Sequence, residues 1–193
     1  MLPENIIYIV IFLSLFGHLS YIKSIIKGEA KPNLVSWFIW ALAPLIGVFF
    51  QLKAGAGLVS LPIFMDGFLS LLIIITAILT KNGFWKFNAF DLYCGALALM
   101  ALILYIFTHN LGISILFAIL SDGLATMPTL VKSWKFPETE AVTVYLVAAL
   151  SNAFGLLIIK NWTFSIYSFG LYFVLINLVI VFCIYRKKIF KQI

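Results

Sequence analysis

Two aspartates lie inside long apolar runs of this chain. Asp122 directly follows "LGISILFAILS", and Asp66 lies within "LPIFMDGFLS". An ionised carboxylate at the centre of a bilayer costs about 2.5 to 3.5 kcal/mol on insertion scales, so each side chain must face protein or water. A carboxylate at such a position can bind a polar solute, exchange a proton or hydrogen-bond to a neighbouring helix, and the sequence leaves these alternatives open.

The residues around Asp122 form a small, polar stripe at helical spacing. The stripe consists of Ser114, Ala118, Asp122, Ala125 and Thr129. The large apolar side chains lie away from it, at Ile113, Leu116, Leu120 and Leu124. Because one face of a helix is small and polar, we expect that face to meet a neighbouring helix or a cavity. A second run repeats the arrangement with Pro62, Asp66 and Ser70.

Other polar groups in apolar runs could complete a site with the two aspartates. The charge of histidine ordinarily changes near neutral pH, so His18 could exchange a proton with Asp66 or Asp122, or else form an interhelical hydrogen bond. The amides and indole could contact a solute, although asparagines also join helices in membranes. The predicted substrate-binding residues are Trp40, Asp66, Asp122, Asn152 and Asn177, and the predicted proton-coupling residues are His18, Asp66 and Asp122.

Two prolines lie inside apolar runs, Pro44 and Pro128. Proline removes a backbone hydrogen bond from a helix, and membranes tolerate the loss where protein or a cavity satisfies the freed carbonyl. We therefore expect hinges at Pro44 and Pro128.

Several residues have local interpretations at helix ends. Asn33 is expected to cap a helix, and Thr139 to cap another with Glu140 in its first turn. Trp37 is expected in the aromatic belt at the membrane surface, whereas Trp40, one turn deeper, could be either a belt residue or a solute contact.

The composition indicates an integral membrane protein. The 193 residues are 64% hydrophobic and 10% charged, whereas soluble domains are about half apolar and a quarter charged. A membrane-crossing helix needs roughly 20 apolar residues. Such spans are predicted at 5–26, 34–51, 58–80, 88–107, 111–131, 141–159 and 163–185. The expected fold class is an all-α integral membrane protein with seven transmembrane helices.

Most basic residues follow the odd-numbered spans. They are Lys23, Lys27 and Lys31, then Lys81 and Lys86, then Lys132 and Lys135, and last Arg186, Lys187, Lys188 and Lys191. By the positive-inside rule the N-terminus is outside and the C-terminus cytoplasmic. This asymmetry explains the net charge of +6 without a nucleic-acid partner. The composition favours a prokaryotic inner membrane. Cys94 and Cys183 have no metal-type spacing, so no metal or cofactor is predicted.

The chain contains a weak internal repeat. A shift of 108 residues aligns "WFIWALAPLIG" with "YLVAALSNAFG", with identities at Ala41/Ala149, Leu42/Leu150 and Gly47/Gly155. Two three-span copies require a linking span to return the chain across the membrane. The pattern predicts a 3+1+3 parallel repeat, with bundles at 1–82 and 110–193, a linker helix within 83–109 and a basic tail after the last span.

The chain combines three features: seven spans, two triplets of spans, and the segment "MPTLVKSW" (127–134), in which a proline precedes the basic residues at the end of a span. In these three features it resembles the SWEET and PQ-loop superfamily of transporters. The family's Pro-Gln pair falls on Pro128 and Thr129. Its four hinge prolines fall on Tyr21, Pro44, Pro128 and Asn152. The resemblance implies a solute site between the bundles and alternating access. The layout is also similar to PnuC-type vitamin-precursor transporters, which hold their ligand with aromatic residues, as "SWFIW" (36–40) could.

The leading functional expectation is therefore transport of a small polar solute, sugar-like or vitamin-like, across a plasma membrane, without enzymatic activity. A membrane enzyme acting on lipids is the first alternative, although His18 and His109 belong to no catalytic motif. A lipid-handling or scaffold protein is the second. The expected partners are the solute and the lipid bilayer, and the oligomeric state stays open.

Overall fold

A computed structural model describes residues 6–53, 61–84, 89–108, 111–158, 162 and 164–190. These ranges contain seven α-helices and one short 3₁₀ turn, so the described fold is all-helical. The helices are α1 (Ile6–Ile26), α2 (Leu34–Lys53), α3 (Leu61–Thr80), α4 (Ala89–Phe107), α5 (Leu111–Lys135), α6 (Val142–Ile158) and α7 (Phe164–Phe190), and the 3₁₀ turn is Pro137–Thr139. Each predicted span forms a helix where the structure describes it; residues 58–60 of the third span lie outside the described residues. However, α2, α5 and α7 continue beyond their predicted ends at 51, 131 and 185.

Five helices are long and apolar enough to cross a membrane: α1, α3, α4, α5 and α7. The apolar segments counted in the other two, Leu34–Ile46 and Val142–Leu157, are shorter. Large apolar side chains are exposed on the outside of the helices, among them Phe12, Leu79 and Leu175. Exposure of such side chains is unfavourable in water but not in lipid, because lipid is itself apolar. Helix length, composition and these exposed residues together indicate a multi-pass membrane protein.

The helices pack in a regular pattern. The main contacts of α3 are with α1 and α2, and those of α7 are with α5 and α6. Further contacts join α1 to α6 and α2 to α5, while α4 packs against α5 and α2. Gly17 permits the close approach of α1 to α6, because a Cβ there would lie 3.2 Å from the Cβ of Val147. These contacts place α1, α2, α5 and α6 along the middle of the molecule.

Three loops interlock at one end of the helices, which we call the lysine-rich end: the ends of α1, α3 and α5 and the beginnings of α2, α4 and α6. Phe84 N donates to Pro32 O at 2.9 Å, and Lys31 N donates to Thr139 O at 2.8 Å. The Asn82 side-chain amide donates to Ile25 O at 2.7 Å. The loops after α1, α3 and α5 are therefore hydrogen-bonded to one another.

The predicted cap of α2 is confirmed. Asn33 Oδ1 accepts from Val35 N at 3.0 Å and from Ser36 N at 3.3 Å, the arrangement by which an N-cap side chain satisfies free amides. Asn33 is itself buried, so the cap also fixes the start of α2 within the interlocked loops.

Candidate functional site

Asp122 is buried in the middle of α5 and is held by two hydroxyl groups. Tyr172 Oη donates to Asp122 Oδ2 at 2.7 Å, from α7. Thr126 Oγ1, one turn along α5, lies 3.4 Å from Oδ2 and donates to the Asp122 carbonyl at 2.8 Å. Both described side-chain bonds reach the same oxygen. Because an ionised carboxylate accepts at about four sites, Asp122 retains acceptor capacity for another donor.

One tryptophan of α2 adjoins this carboxyl group, and a second packs against the first. The Trp40 side chain interacts with Asp122 across the contact between α2 and α5. The rings of Trp37 and Trp40 are nearly perpendicular, with centroids 5.1 Å apart. Trp37 Nε1 is buried and has no hydrogen-bond partner among the described residues. Because a buried indole N–H usually has a partner, Trp37 offers a donor to a ligand or to water.

The expectation that Trp37 belongs to the aromatic belt is wrong. Trp37 is only 2% exposed. Its ring lies 5.0 Å from that of Tyr21 and 6.2 Å from that of His18, both of α1. The first turns of α2 pack inside the bundle rather than against its rim. A position near the end of a helix therefore did not place this tryptophan at the lipid surface.

Asp66 belongs to a second polar group, formed by α1 and α3. The Asp66 carboxyl interacts electrostatically with His18 and with the Ser14 side chain. His18 is buried, and its Nδ1 lies 2.8 Å from Ser14 O. Of the two pairs considered from the sequence, the structure brings His18 to Asp66. Proton transfer between them stays a prediction.

The structure describes only local hydrogen bonds for the two predicted asparagines. Asn152 Nδ2 donates to Ala148 O and Asn177 Nδ2 donates to Phe173 O, each at 2.9 Å and within its own helix. Asn177 is buried, whereas Asn152 is half-buried. Neither forms a described hydrogen bond with Asp122. Their contact with a solute stays a prediction.

The polar stripe of α5 is confirmed where the structure describes it. Asp122, Ala125 and Thr129 are buried, and the predicted outward residues Ile113, Leu116 and Leu120 are exposed. Ala118 is half-buried, and the outward prediction is wrong for Leu124, which packs against a buried cluster that contains Ala125. Thr129 Oγ1 donates to Ser36 Oγ of α2 at 2.8 Å. The side chains of Ser114 and Pro62 lie outside the described residues. The stripe is thus the face of α5 that meets α2.

The two predicted hinge prolines lie within helices. Pro44 is inside α2 and Pro128 is inside α5, which continues beyond it to Lys135. Pro128 is buried. Movement at either proline stays a prediction.

A buried ion pair at the lysine-rich end was missed by the sequence analysis. Lys132 Nζ lies 2.5 Å from Glu140 Oε1, and the two side chains are 2% and 0% exposed. Tyr21 Oη and Tyr145 Oη donate to Glu140 Oε2 at 2.7 and 3.0 Å. Lys132 Nζ also donates to the carbonyl of Lys31. We call Tyr21, Lys132, Glu140 and Tyr145 the Glu140 cluster; it joins α1, α5, α6 and the loop between the last two.

The helix-cap interpretation of this loop is therefore wrong. α6 begins at Val142, and Thr139 Oγ1 donates back to Phe136 O at 2.7 Å, within the 3₁₀ turn. Glu140 has extended backbone geometry before α6, and its side chain points to buried partners rather than serving the helix dipole. One signal of the cluster was present in the sequence. Lys132 follows Thr129 by three residues and so extends the polar stripe of α5 into the interior.

Within the described ranges, no group of three or more His, Cys, Asp or Glu side chains could hold a metal ion. A scan against protein-family models found no match. Searches of curated proteins and of solved structures also found none. The functional argument therefore depends on the geometry of the chain itself.

Proposed function

We propose that this protein is a membrane transporter that carries a small polar solute by alternating access between two helical bundles, α1–α3 and α5–α7, joined by α4. The packing supports the two-bundle division, since the third helix of each triplet contacts its first and second helices. The contacts between triplets, α1 with α6 and α2 with α5, are equivalent when α1 is matched to α5 and α2 to α6. That matching agrees with the 108-residue shift in the sequence.

The proposal depends chiefly on the polar group formed by Asp122, Trp40 and Trp37. It combines a buried carboxylate, which the Trp40 side chain contacts, with the buried, unpaired indole donor of Trp37 at the boundary of the two bundles. Such a set can accept from and donate to the hydroxyl, amide or amine groups of a solute, while the indole faces pack against its apolar parts. A purely structural group would be expected to satisfy its own donors.

The Glu140 cluster supplies a barrier on one side of this site. Its bonds join Tyr21 of the first bundle to Glu140 and Tyr145 of the second. By the positive-inside rule the lysine-rich end is cytoplasmic, so this conformation is closed toward the cytoplasm. Alternating access then requires the Lys132 to Glu140 region to separate from Tyr21, with Pro44 and Pro128 as the proposed hinges.

Proton coupling, if it accompanies transport, is assigned to Asp122 or to the Asp66 and His18 pair. Asp122→Asn retains the size of the side chain but holds no negative charge. In the coupled mechanism this variant still binds solute, whereas its uptake loses pH dependence. Unchanged pH dependence in both Asp122→Asn and Asp66→Asn would exclude coupling through these carboxyl groups.

The deciding experiment is a thermal-stability screen of the purified protein against sugars, nucleosides, vitamins, amino acids and organic acids at pH 5.5 and 7.5. A ligand at 100 times its dissociation constant stabilises the native state by about 2.7 kcal/mol. We expect one class to stabilise the wild type and Trp134→Ala, whose indole is exposed at the end of α5, but not Asp122→Asn or Trp40→Ala. The same compound should enter proteoliposomes that contain the protein.

Two results would contradict the proposal. One is that no class stabilises the folded wild type. The other is that a bound compound is not taken up by the proteoliposomes, which would favour a lipid-handling or receptor-like role.

A further inference from the structure

A separate cavity opens at the lysine-rich end, between the interlocked loops and the ends of α3 and α5. Its volume is about 800 Å³, within the range of small-molecule sites. We call it the basic cavity. Its charged and amide lining residues are Lys31, Asn33, Lys81, Asn82, Asp91, Lys132 and Lys135. Neither Asp122 nor Trp40 lines it, so it is distinct from the proposed solute site.

Positive charge dominates the basic cavity. The described ion pairs of the chain are Lys27 with Glu29 and Lys132 with Glu140. Lys31, Lys81 and Lys135 belong to neither pair, and all three are exposed; the four lining lysines outnumber the one lining carboxylate, Asp91. Lys31 also lies near enough to Lys132 for mutual repulsion. Bringing ammonium groups together in this way is unfavourable unless an anion balances them.

The walls of the basic cavity are fixed by backbone hydrogen bonds. Asn33 and Phe84 form a parallel β-bridge, and the Phe84 ring lies 5.5 Å from Lys132 Nζ. The bonds from Phe84 N to Pro32 O and from Lys31 N to Thr139 O hold the three loops around the opening. The backbone of these loops is thus preorganised around the opening, which favours affinity, while the exposed lysine side chains would be ordered when a ligand binds.

Lys81 has a backbone conformation that lysine rarely adopts. Its φ is 57°, in the left-handed region that favours glycine or asparagine. Lys81 directly follows α3, where a left-handed residue commonly ends a helix, and Asn82 N donates to Ala77 O across it; a non-glycine residue at this position is strained. A lysine at this turn places an ammonium group at the cavity at a cost that glycine would avoid.

We propose that the basic cavity binds a phosphate group. Ammonium groups are suited to phosphate oxygens as mobile point charges, and Asn33 and Asn82 line the same space. Basic pockets between membrane helices bind lipid headgroups, but the phosphate of a soluble metabolite has the same chemistry. This inference does not depend on transport, since none of the proposed solute-binding residues lines the basic cavity; Lys132 and Pro128, which do line it, are the proposed barrier residue and hinge.

The test uses the full-length protein in nanodiscs of zwitterionic lipid, with thermal stability as the measurement. Inorganic phosphate and glycerol phosphate are titrated against chloride at equal ionic strength, and in a parallel arm the nanodiscs contain phosphatidate or phosphatidylglycerol. The cavity variant is Lys81→Gln with Lys135→Gln. The matched control is Lys23→Gln with Lys27→Gln, which removes equal charge from exposed residues at the same end outside the cavity lining.

We expect phosphate binding to weaken by about tenfold or more in the cavity variant, because two of the ammonium groups that would contact the phosphate oxygens are removed. The control should bind like the wild type. Stabilisation by the soluble phosphates identifies a metabolite site, and stabilisation only in nanodiscs of anionic lipid identifies a headgroup site. Equal loss in the cavity and control variants, or no stabilisation in either arm, would overturn the proposal.

Discussion

Lys132 and Glu140 form an ion pair that is almost completely shielded from solvent, with Nζ and Oε1 2.5 Å apart. Each charge has further partners: Lys132 donates to the carbonyl of Lys31, and Glu140 accepts from Tyr21 and Tyr145. The desolvation cost of a buried pair is offset only when its remaining hydrogen-bonding sites are satisfied. Here the groups that satisfy these sites come from α1, from the loop after α1 and from α6. The stability of the pair therefore depends on the packing of α1 against α6.

Glu140→Gln should lower the free energy of unfolding by about 3 to 5 kcal/mol, because it leaves Lys132 charged and buried without its counter-ion. Thermal unfolding of the purified variant measures this. Glu138→Gln makes the same charge change in an exposed residue of the same loop and should change stability by less than about 0.5 kcal/mol. The double replacement Lys132→Met with Glu140→Met should restore part of the loss, because it removes the buried charge but leaves the hydroxyls of Tyr21 and Tyr145 without their acceptor. Equal unfolding temperatures for the two glutamine variants would contradict a stabilising pair.

Tyr172 and Asp122 should be energetically coupled. Tyr172→Phe removes the phenol that donates to Asp122 Oδ2 at 2.7 Å, and contacting residues give interaction energies of about 0.5 to 3 kcal/mol in double-mutant cycles. The cycle uses Tyr172→Phe, Asp122→Asn and their combination. Tyr167→Phe, which removes a phenol whose ring contacts Trp162 instead, serves as control and should be additive with Asp122→Asn. Additivity of Tyr172→Phe would mean that the hydrogen bond contributes nothing.

The tryptophans should differ in their access to lipid. Trp134 and Trp162 are 49% and 61% exposed, whereas Trp37 is 2% exposed. In single-tryptophan variants reconstituted with brominated lipid, fluorescence should be quenched for Trp134 and much less for Trp37. Strong quenching of Trp37 would contradict the packing of α2 against α1.

Cysteines introduced into α1 and α6 should form a disulfide. A Cβ at residue 17 lies 3.2 Å from Val147 Cβ, slightly closer than the roughly 3.5 to 4.5 Å usual between disulfide-bonded residues. The variant combines Gly17→Cys with Val147→Cys in a chain whose Cys94 and Cys183 are replaced by alanine. On mild oxidation it should form the disulfide. After the chain is cleaved between residues 17 and 147, the two disulfide-linked fragments should migrate together on a gel. Leu146→Cys, at an exposed neighbouring position, should cross-link poorly with residue 17. Similar yields from both pairs would contradict the contact between α1 and α6.

The helices were predictable because lipid offers the backbone of an apolar run no hydrogen-bond partners. The N–H and C=O groups of such a run must therefore bond to one another, as they do in a helix. The end of α5 was not, since Pro128 followed by Lys132 and Trp134 is typical of a helix exit. In the structure α5 continues to Lys135. Local chain preferences were overridden there by partners that the helix meets only after folding.

The site was predictable in its parts but not in its pairing. A carboxylate at Asp122 on a small, polar stripe indicated a buried face, and that face is confirmed. Its partner Tyr172 lies fifty residues away along the chain, and Tyr21 lies 119 residues from Glu140. No local pattern encodes such distances. Glu140 was assigned to the nearest helix end, whereas its partners are contributed by α1, α5 and α6.

The two buried ionisable groups of α5, Asp122 and Lys132, affect how this protein is made. With these two residues and Lys135, α5 has the lowest mean hydropathy of the five longest apolar segments, 1.4. Glu140, which pairs with Lys132, and Tyr172, which hydrogen-bonds to Asp122, are synthesised later. We expect α5 to enter the bilayer poorly by itself and to settle there only after the ribosome has delivered α6 and α7. Biogenesis of the second half would then be a single cooperative event, and a chain truncated after α5 would be a substrate for membrane quality control.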